Sequence, residues 1–308
     1  NFLEAFTAPV DDFVGELLHH VPLHVRNNGA ARIADMCSSH LFDLDLGALL
    51  ENTPSAAIHC WAKADDGSID TMKVEDPQEA VEAYEAGSSL YFRAPQAAID
   101  DYVGALNDAL GMGFSGYYPD GEVRGEIEMF ASRKGHVTEW HFDFQENFTV
   151  QLRGSKKWFL KRGTVLHPLR GATPHYASAD NSEEQVKVHR MQDARFEYRP
   201  LPSFFDDAEE VVLEEGDFFY FPAGCWHRVE AVEDSLSANM SVIAMTWADV
   251  AADAVRTMLW RDPRWRSMVS GCGQAGFRRL LGPMLDGLRA GVQNLQPGHL
   301  LPDALLWR

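Results

Sequence analysis

The stretch Thr138–Val150 reads TEWHFDFQENFTV. His141 and Asp143 stand one residue apart among Trp140, Phe142 and Phe144. In an extended strand, successive side chains point to opposite faces. The spacing therefore predicts an apolar face of Trp140, Phe142 and Phe144, with His141, Asp143 and Gln145 on the other. The aromatics would anchor the strand in a core, while an imidazole and a carboxylate reach one metal ion. A His-x-Asp pair alone fits a hydrogen-bonded core histidine equally well. A second segment adds to it: LEEGDFFYFPAGCWH ends in His227, at the opening of a further strand. Two imidazoles and one carboxylate on one side of a metal leave three positions open. That is the donor set of non-heme Fe(II) centres, which must bind a cosubstrate and O2 together.

A cation follows the first pair. NFTVQLRGSKKWFL reads as a hairpin with Gly154-Ser155 as its turn. Beyond the turn, Lys156, Trp158 and Leu160 share one face, and Lys157 and Lys161 the other. A lysine in phase with two large apolar residues is predicted to point inward, where its ammonium needs an anionic partner. The alternative is a turn lysine left in solvent.

The elements that must position these groups are mostly short. Residues 9–20 are predicted as a helix stopped by Pro22, followed by a short extended piece. Residues 43–51 read as a helix and 56–62 as a strand. Residues 76–86 read as a helix with Asp76 as N-cap and Pro77 in its first turn. SSLYFRA follows as a strand and residues 95–110 as a helix. From about residue 113, GEIEMFAS, TEWHFDF, NFTVQLRG, KKWFLKR, EVVLEE and DFFYFPAG alternate with turn residues, the pattern of a sandwich or barrel. Residues 163–210 read as a long loop with one strand, VKVHRM. After Trp247 the texture is helical. Pro263 ends one helix, and Gly282-Pro283 is predicted to separate the Phe277/Leu280/Leu281 face from Met284/Leu285/Leu288. The expected organisation is an α/β region over 1–112, a catalytic core over 113–247 and a helical appendage over 248–308.

Acidic residues number 46 and basic ones 27, for a net charge of −19. Bulk binding to nucleic acid or to an anionic membrane is not expected from such a chain. No apolar run approaches the roughly 18 residues of a membrane-spanning helix. The first residues, NFLEAFTAPVDDF, lack the charge pattern of a signal peptide. Cys37, Cys60, Cys225 and Cys272 are scattered without a CxxC pair, which favours a reducing compartment over a disulfide framework.

His141-x-Asp143, Lys156 and His227, within HFDFQENFTVQLRGSKKWFL and LEEGDFFYFPAGCWH, resemble the JmjC group of Fe(II)/2-oxoglutarate oxygenases. Within it they are most similar to the ribosomal oxygenases, which hydroxylate ribosomal proteins. DDFVGELLHHVPLHVRNN is similar to that group's opening helix and strand, and the resemblance spans roughly residues 10–250. It implies a mainly β fold, a double-stranded β-helix (jelly roll, cupin) core flanked by helices. It implies His141, Asp143 and His227 as metal ligands and Lys156 as the partner of the distal carboxylate of 2-oxoglutarate. Ser237 and Asn239 fall near the cosubstrate in such relatives, and Glu128 falls near a position where they carry Asn. Gln145, Gln151 and Trp226 are candidates to brace the ligands. The implied activity is an iron- and O2-dependent hydroxylation of a protein side chain, with succinate and CO2 formed from the cosubstrate. A small molecule or free peptide as substrate, and a metal cupin that is no oxygenase, are the alternatives. The helical end is compatible with a homodimer or with a cap on a monomer. A cytoplasmic enzyme is expected, or a nuclear one in a eukaryote. The TPHY motif around His175 has no counterpart in the ribosomal oxygenases.

Overall fold

The structure, a computed structural model, describes residues 13, 18, 20–27, 31, 40–54, 58–63, 69–110, 125–169, 183–194, 201–243, 246–268, 273–296 and 298. The chain divides into two compact units, one of residues 1–111 and 123–243, the other of residues 112–122 and 244–308.

The first unit holds two antiparallel sheets. In chain order its strands are β1 (Leu23–Val25), β2 (Ile58–Lys63), β3 (Ile69–Val74), β4 (Ser89–Arg93), β5 (Gly125–Ser132) and β6 (Val137–His141). They continue as β7 (Glu146–Arg153), β8 (Lys156–Lys161), β9 (Glu209–Leu213), β10 (Phe218–Phe221), β11 (Trp226–Ala231) and β12 (Ser235–Val242). The larger sheet runs β1-β10-β7-β12-β5-β4-β2-β3 and the smaller β6-β11-β8-β9. This interleaving is the double-stranded β-helix expected of the sequence. No helix of the described residues is long and apolar enough to cross a membrane.

Alternation explains how the larger sheet serves two environments. All of β12 is buried. Leu236, Ala238, Met240 and Val242 occupy one face, and Ser235, Ser237, Asn239 and Ser241 the other. The apolar face, with Leu90 and Phe92 fully buried, lies on the side of helices α1 (Leu46–Glu51), α2 (Pro77–Glu85) and α3 (Gln96–Leu110). Each such side chain contributes roughly 1.5–3 kcal/mol on burial. The polar face turns toward the smaller sheet, where Trp158, Leu160, Val211, Leu213, Phe219, Phe221 and Cys225 form an apolar cluster. Asp76 caps α2 through Gln78 N, with Pro77 in the first turn.

Several expectations are corrected. β6 stops at His141, so Asp143 lies in the connection to β7 and not on the strand. Phe142 is buried against Trp226 and Val165, with Trp140 packed at the edge of that cluster, whereas Phe144 is only half-buried. VKVHRM is part of helix α4 (Glu183–Gln192), not a strand. Val186 and Val188 alternate like a strand, but Glu183, Glu184, Gln185 and Gln192 favour a helix, and the Gln192 amide donates to the Val188 carbonyl one turn back. β3 was not foreseen from the sequence. Of the helix predicted over 9–20 only residues 13, 18 and 20 are described, and the TPHY motif lies outside the described residues.

The second unit contains α5 (Trp247–Trp260) and α6 (Gln274–Gln293). Thr246 and Asp249 form a reciprocal capping box at the start of α5. α6 runs unbroken through Pro283. A proline inside a helix costs about 3 kcal/mol. Phe277, Leu281, Met284, Leu285 and Leu288 nevertheless recur at helical spacing as one continuous stripe. Gly291 meets α5 so closely that a Cβ there would stand 2.5 Å from the Met258 sulfur.

Candidate metal centre

His141 ends β6 and His227 lies near the start of β11, directly opposite it in register. The two rings are 4.1 Å apart between centroids. Each imidazole is held by the backbone carbonyl two residues before it. His141 Nδ1 lies 2.7 Å from the Glu139 carbonyl and His227 Nδ1 lies 3.0 Å from the Cys225 carbonyl. A carbonyl only accepts, so Nδ1 carries the proton in both rings, and each Nε2 presents its lone pair. Asp143 reaches the same point from the β6–β7 connection, with Oδ2 3.7 Å from His227 Nε2. One ligand atom from each of His141, Asp143 and His227 lies within 4.8 Å of the others. Two neutral imidazoles and a carboxylate fit a divalent transition metal.

Two turns hold the ligands together. Gly224 N donates to the Asp143 carbonyl at 2.8 Å, joining the turn before His227 to the segment carrying the carboxylate. Gly224 has φ +80, and a Cβ there would sit 2.6 Å from the Val165 carbonyl oxygen. Gly154, at φ +63, makes the tight β7–β8 turn that delivers Lys156.

The seven residues given to the metal and cosubstrate, His141, Asp143, His227, Lys156, Ser237, Asn239 and Glu128, line one cavity of about 290 Å³. Lys156 is 4 % exposed and donates to Ser237 Oγ at 2.8 Å. Its ammonium lies 5.4 Å from the Phe130 ring centroid. Among the described residues it meets no carboxylate, and burial pulls it down to about 7. Glu128 is the opposite case. Tyr91 OH donates to it at 2.7 Å, and Asn239 Nδ2 and Ser241 Oγ lie 3.4 Å from its other oxygen. Asn239 also bonds Asn147 and Thr149. Burial, and then the carboxylates of Glu126 and Asp143, raise Glu128 to about 7.

Gln145, Gln151 and Trp226 do not line the cavity. Gln145 reaches Glu126 at 3.3 Å, Gln151 spends its amide on the Arg153 carbonyl, and Trp226 packs edge-on to Phe142. Residues overlooked in the sequence take their place. Trp158 stacks near His227 at 5.8 Å and Phe221 at 4.6 Å. Tyr91 and Trp61 come from β4 and β2, strands remote in sequence from every ligand. His136 and Thr138 also line the cavity. Strict alternation from His141 would turn both away. The β6–β11 pairing instead slips between His227 and Val229, so three steps on β6, from Thr138 to His141, match two on β11. Such a bulge re-aims the side chains on either side of it.

A double-stranded β-helix with two histidines and an aspartate converging inside it defines a protein of the cupin and JmjC type. The chain belongs to the cupin-like domain family, whose signature spans residues 55–249. Over 207 residues it is 29% identical to the uncharacterized protein YxbC of Bacillus subtilis, a match covering 66% of this chain and 58% of that protein. Over 141 residues it is 29% identical to ribosomal oxygenase 1 of Gallus gallus, covering 40% of this chain and 22% of that one. The chain thus matches between about a fifth and three-fifths of the length of these curated relatives. It shares its fold with YcfD, a ribosomal oxygenase from Escherichia coli solved with cobalt and 2-oxoglutarate. There the TM-score is 0.50 at 16% identity, over 96% of this chain and 69% of that one.

Proposed function

We propose that this chain is an Fe(II)- and 2-oxoglutarate-dependent dioxygenase that hydroxylates a protein side chain. Lys156 carries the reading: a buried ammonium with no carboxylate partner among the described residues, in the cavity onto which His141, Asp143 and His227 converge. Burying a cation without a counter-charge is costly, so the fold anticipates an anion there. In this reading His141, Asp143 and His227 hold the metal from one side. The Nδ1 bonds to Glu139 and Cys225 keep both rings in the ligating tautomer. Lys156 and the Ser237 hydroxyl hold the distal carboxylate of 2-oxoglutarate, and Trp158 and Phe221 keep water from the ligand side. Bound together, iron and 2-oxoglutarate supply the oxidising power that places one atom of O2 in a substrate C–H bond while the keto acid becomes succinate and CO2.

A protein substrate is supported by the names of two similar proteins, ribosomal oxygenase 1 and the ribosomal oxygenase YcfD. It is supported also by the shape of the larger sheet. β4, β2 and β3 extend it at one end, and Thr71 and Lys73 of β3 are exposed. Thr71 pairs in register with Trp61, which lines the cavity with Tyr91.

The test is anaerobic. Adding Fe(II) and 2-oxoglutarate together should give a visible charge-transfer band that neither gives alone. His141→Ala should lose both the band and O2-dependent succinate formation; full turnover in that variant would refute the assignment. Mass spectrometry of ribosomal proteins with and without the active enzyme then tests the substrate. An unchanged set of masses would move the activity to another protein or to a small molecule.

A further inference from the structure

The end of the cavity that holds Lys156 is built from hairpin turns. Ser132 ends β5, Lys156 opens β8, Ala231 ends β11 and Ser235–Ser237 opens β12. His136 sits at the same end, just before β6. Ala231 ties it in: its N–H donates to the His136 carbonyl at 2.9 Å, and Ala231 pairs with Lys156 on its other side. His136 and Lys156 are therefore level on the smaller sheet, one strand apart, and the bulge in β6 turns the His136 ring into the cavity.

Trp61 fixes the ring. The two planes lie 3° from parallel with centroids 5.2 Å apart, and Tyr91 stacks on Trp61 in turn at 5.6 Å. With its face packed on Trp61, the imidazole has its edge left for hydrogen bonding. Among the described residues neither ring nitrogen has a hydrogen-bond partner. Burial, and then the facing Lys156, pull the His136 pKa down to about 4, so at neutral pH the ring is uncharged and donates one N–H. Ser132 and Thr138 line the same cavity.

We propose that His136 is a specificity-determining residue for the dicarboxylate. Its ring donates a further hydrogen bond to the carboxylate held by Lys156 and Ser237, and the His136–Trp61 stack is the end wall that limits the length of the diacid. This rests on the reading of Lys156 given above. A ring N–H held rigidly by the Trp61 stack fixes the orientation of the carboxylate, which an ammonium and a hydroxyl, both rotatable, do not.

Binding separates the two roles. 2-Oxoglutarate and its one-carbon-longer homologue, 2-oxoadipate, are titrated calorimetrically into the Mn(II)-loaded protein without O2. Wild type should bind 2-oxoglutarate and discriminate against the homologue. His136→Phe keeps a planar wall but no N–H, and should weaken 2-oxoglutarate about tenfold without admitting the homologue. His136→Asn restores a donor and should recover most of that loss. His136→Ala opens the wall and should shift the preference toward 2-oxoadipate by about tenfold or more. If His136→Phe binds 2-oxoglutarate within twofold of wild type, the donor role is wrong. If His136→Ala leaves the ratio of the two diacids unchanged, the wall is wrong. Wild-type protein that binds neither diacid would instead overturn the oxygenase reading itself. The Phe and Asn variants keep the donor test open should the Ala variant not fold.

Discussion

Lys156, buried, and Glu128, half-buried, are two ionisable groups on the wall of one cavity, and the fold treats them in opposite ways. On β12, Ser237 serves the lysine and Asn239, two residues on, serves the glutamate. On β5, their register partners are Phe130 and Glu128. Glu128 is enclosed by donors from Tyr91 and Asn239, with the Ser241 hydroxyl close by, each on a different strand from its own. Lys156 has one hydroxyl and the face of a phenyl ring. A carboxylate supplied with donors organises the wall around it. A buried charge left short of a counter-ion marks where a ligand completes the fold's electrostatics.

Replacing the unsatisfied charge should have the largest effect on binding. Lys156→Ala is expected to weaken 2-oxoglutarate at least about a hundredfold while changing Fe(II) affinity only a fewfold, both by calorimetry. Equal losses of the two would break the contrast, because they would mean that Lys156 holds the metal site together.

Glu128→Leu should act mainly on stability. It strands the Tyr91 hydroxyl, at about 1–3 kcal/mol for a group left without a partner, read from chemical denaturation, while the Asn239 amide keeps Asn147 and Ser241. Glu128→Gln, which keeps an acceptor, should cost less than Glu128→Leu. A larger effect of Glu128→Gln on diacid binding than on stability would assign that side chain to the ligand instead of the wall.

The pH dependence sharpens the comparison. In the ligand-free protein Lys156 has its pKa pulled down to about 7, so above that pH it is largely neutral. A bound carboxylate favours the charged form and raises the pKa. Diacid binding therefore takes up a proton above pH 7 and weakens as pH rises, by up to about tenfold per unit. Calorimetry in buffers of different ionisation enthalpy counts that proton. Lys156→Arg should remove this uptake, because a guanidinium stays charged.

The smallest effect belongs to the neighbouring residue. Lys157 points away from the cavity and pairs with Glu210 at 2.9 Å on the surface. Lys157→Ala should cost less than about 1 kcal/mol and leave diacid affinity unchanged. Two adjacent lysines would then differ about a hundredfold in their effect on binding, solely through the face of the strand each occupies.

That difference was legible in the sequence. Lys156 is in phase with Trp158 and Leu160, and the Gly154-Ser155 turn sets the phase locally, as Gly154's positive φ requires. The metal-ligand candidates were legible too, as residue types in short strands between turn residues, and Asp76-Pro77 marked the start of its helix. These signals arise within a few residues of backbone, so the sequence alone determined them. Only the tertiary structure decided the rest. Whether His227 faces His141 depends on the register of β11 against β6, strands far apart in sequence. The bulge that brings His136 and Thr138 to the cavity arises from the same pairing. The release of Asp143 from the strand, and the arrival of Trp61 and Tyr91 from β2 and β4, depend equally on contacts made at long range. Local pattern fixes which face a side chain occupies within its own strand. The slip between strands is set by the packing of both sheets, and one residue of slip reverses every face.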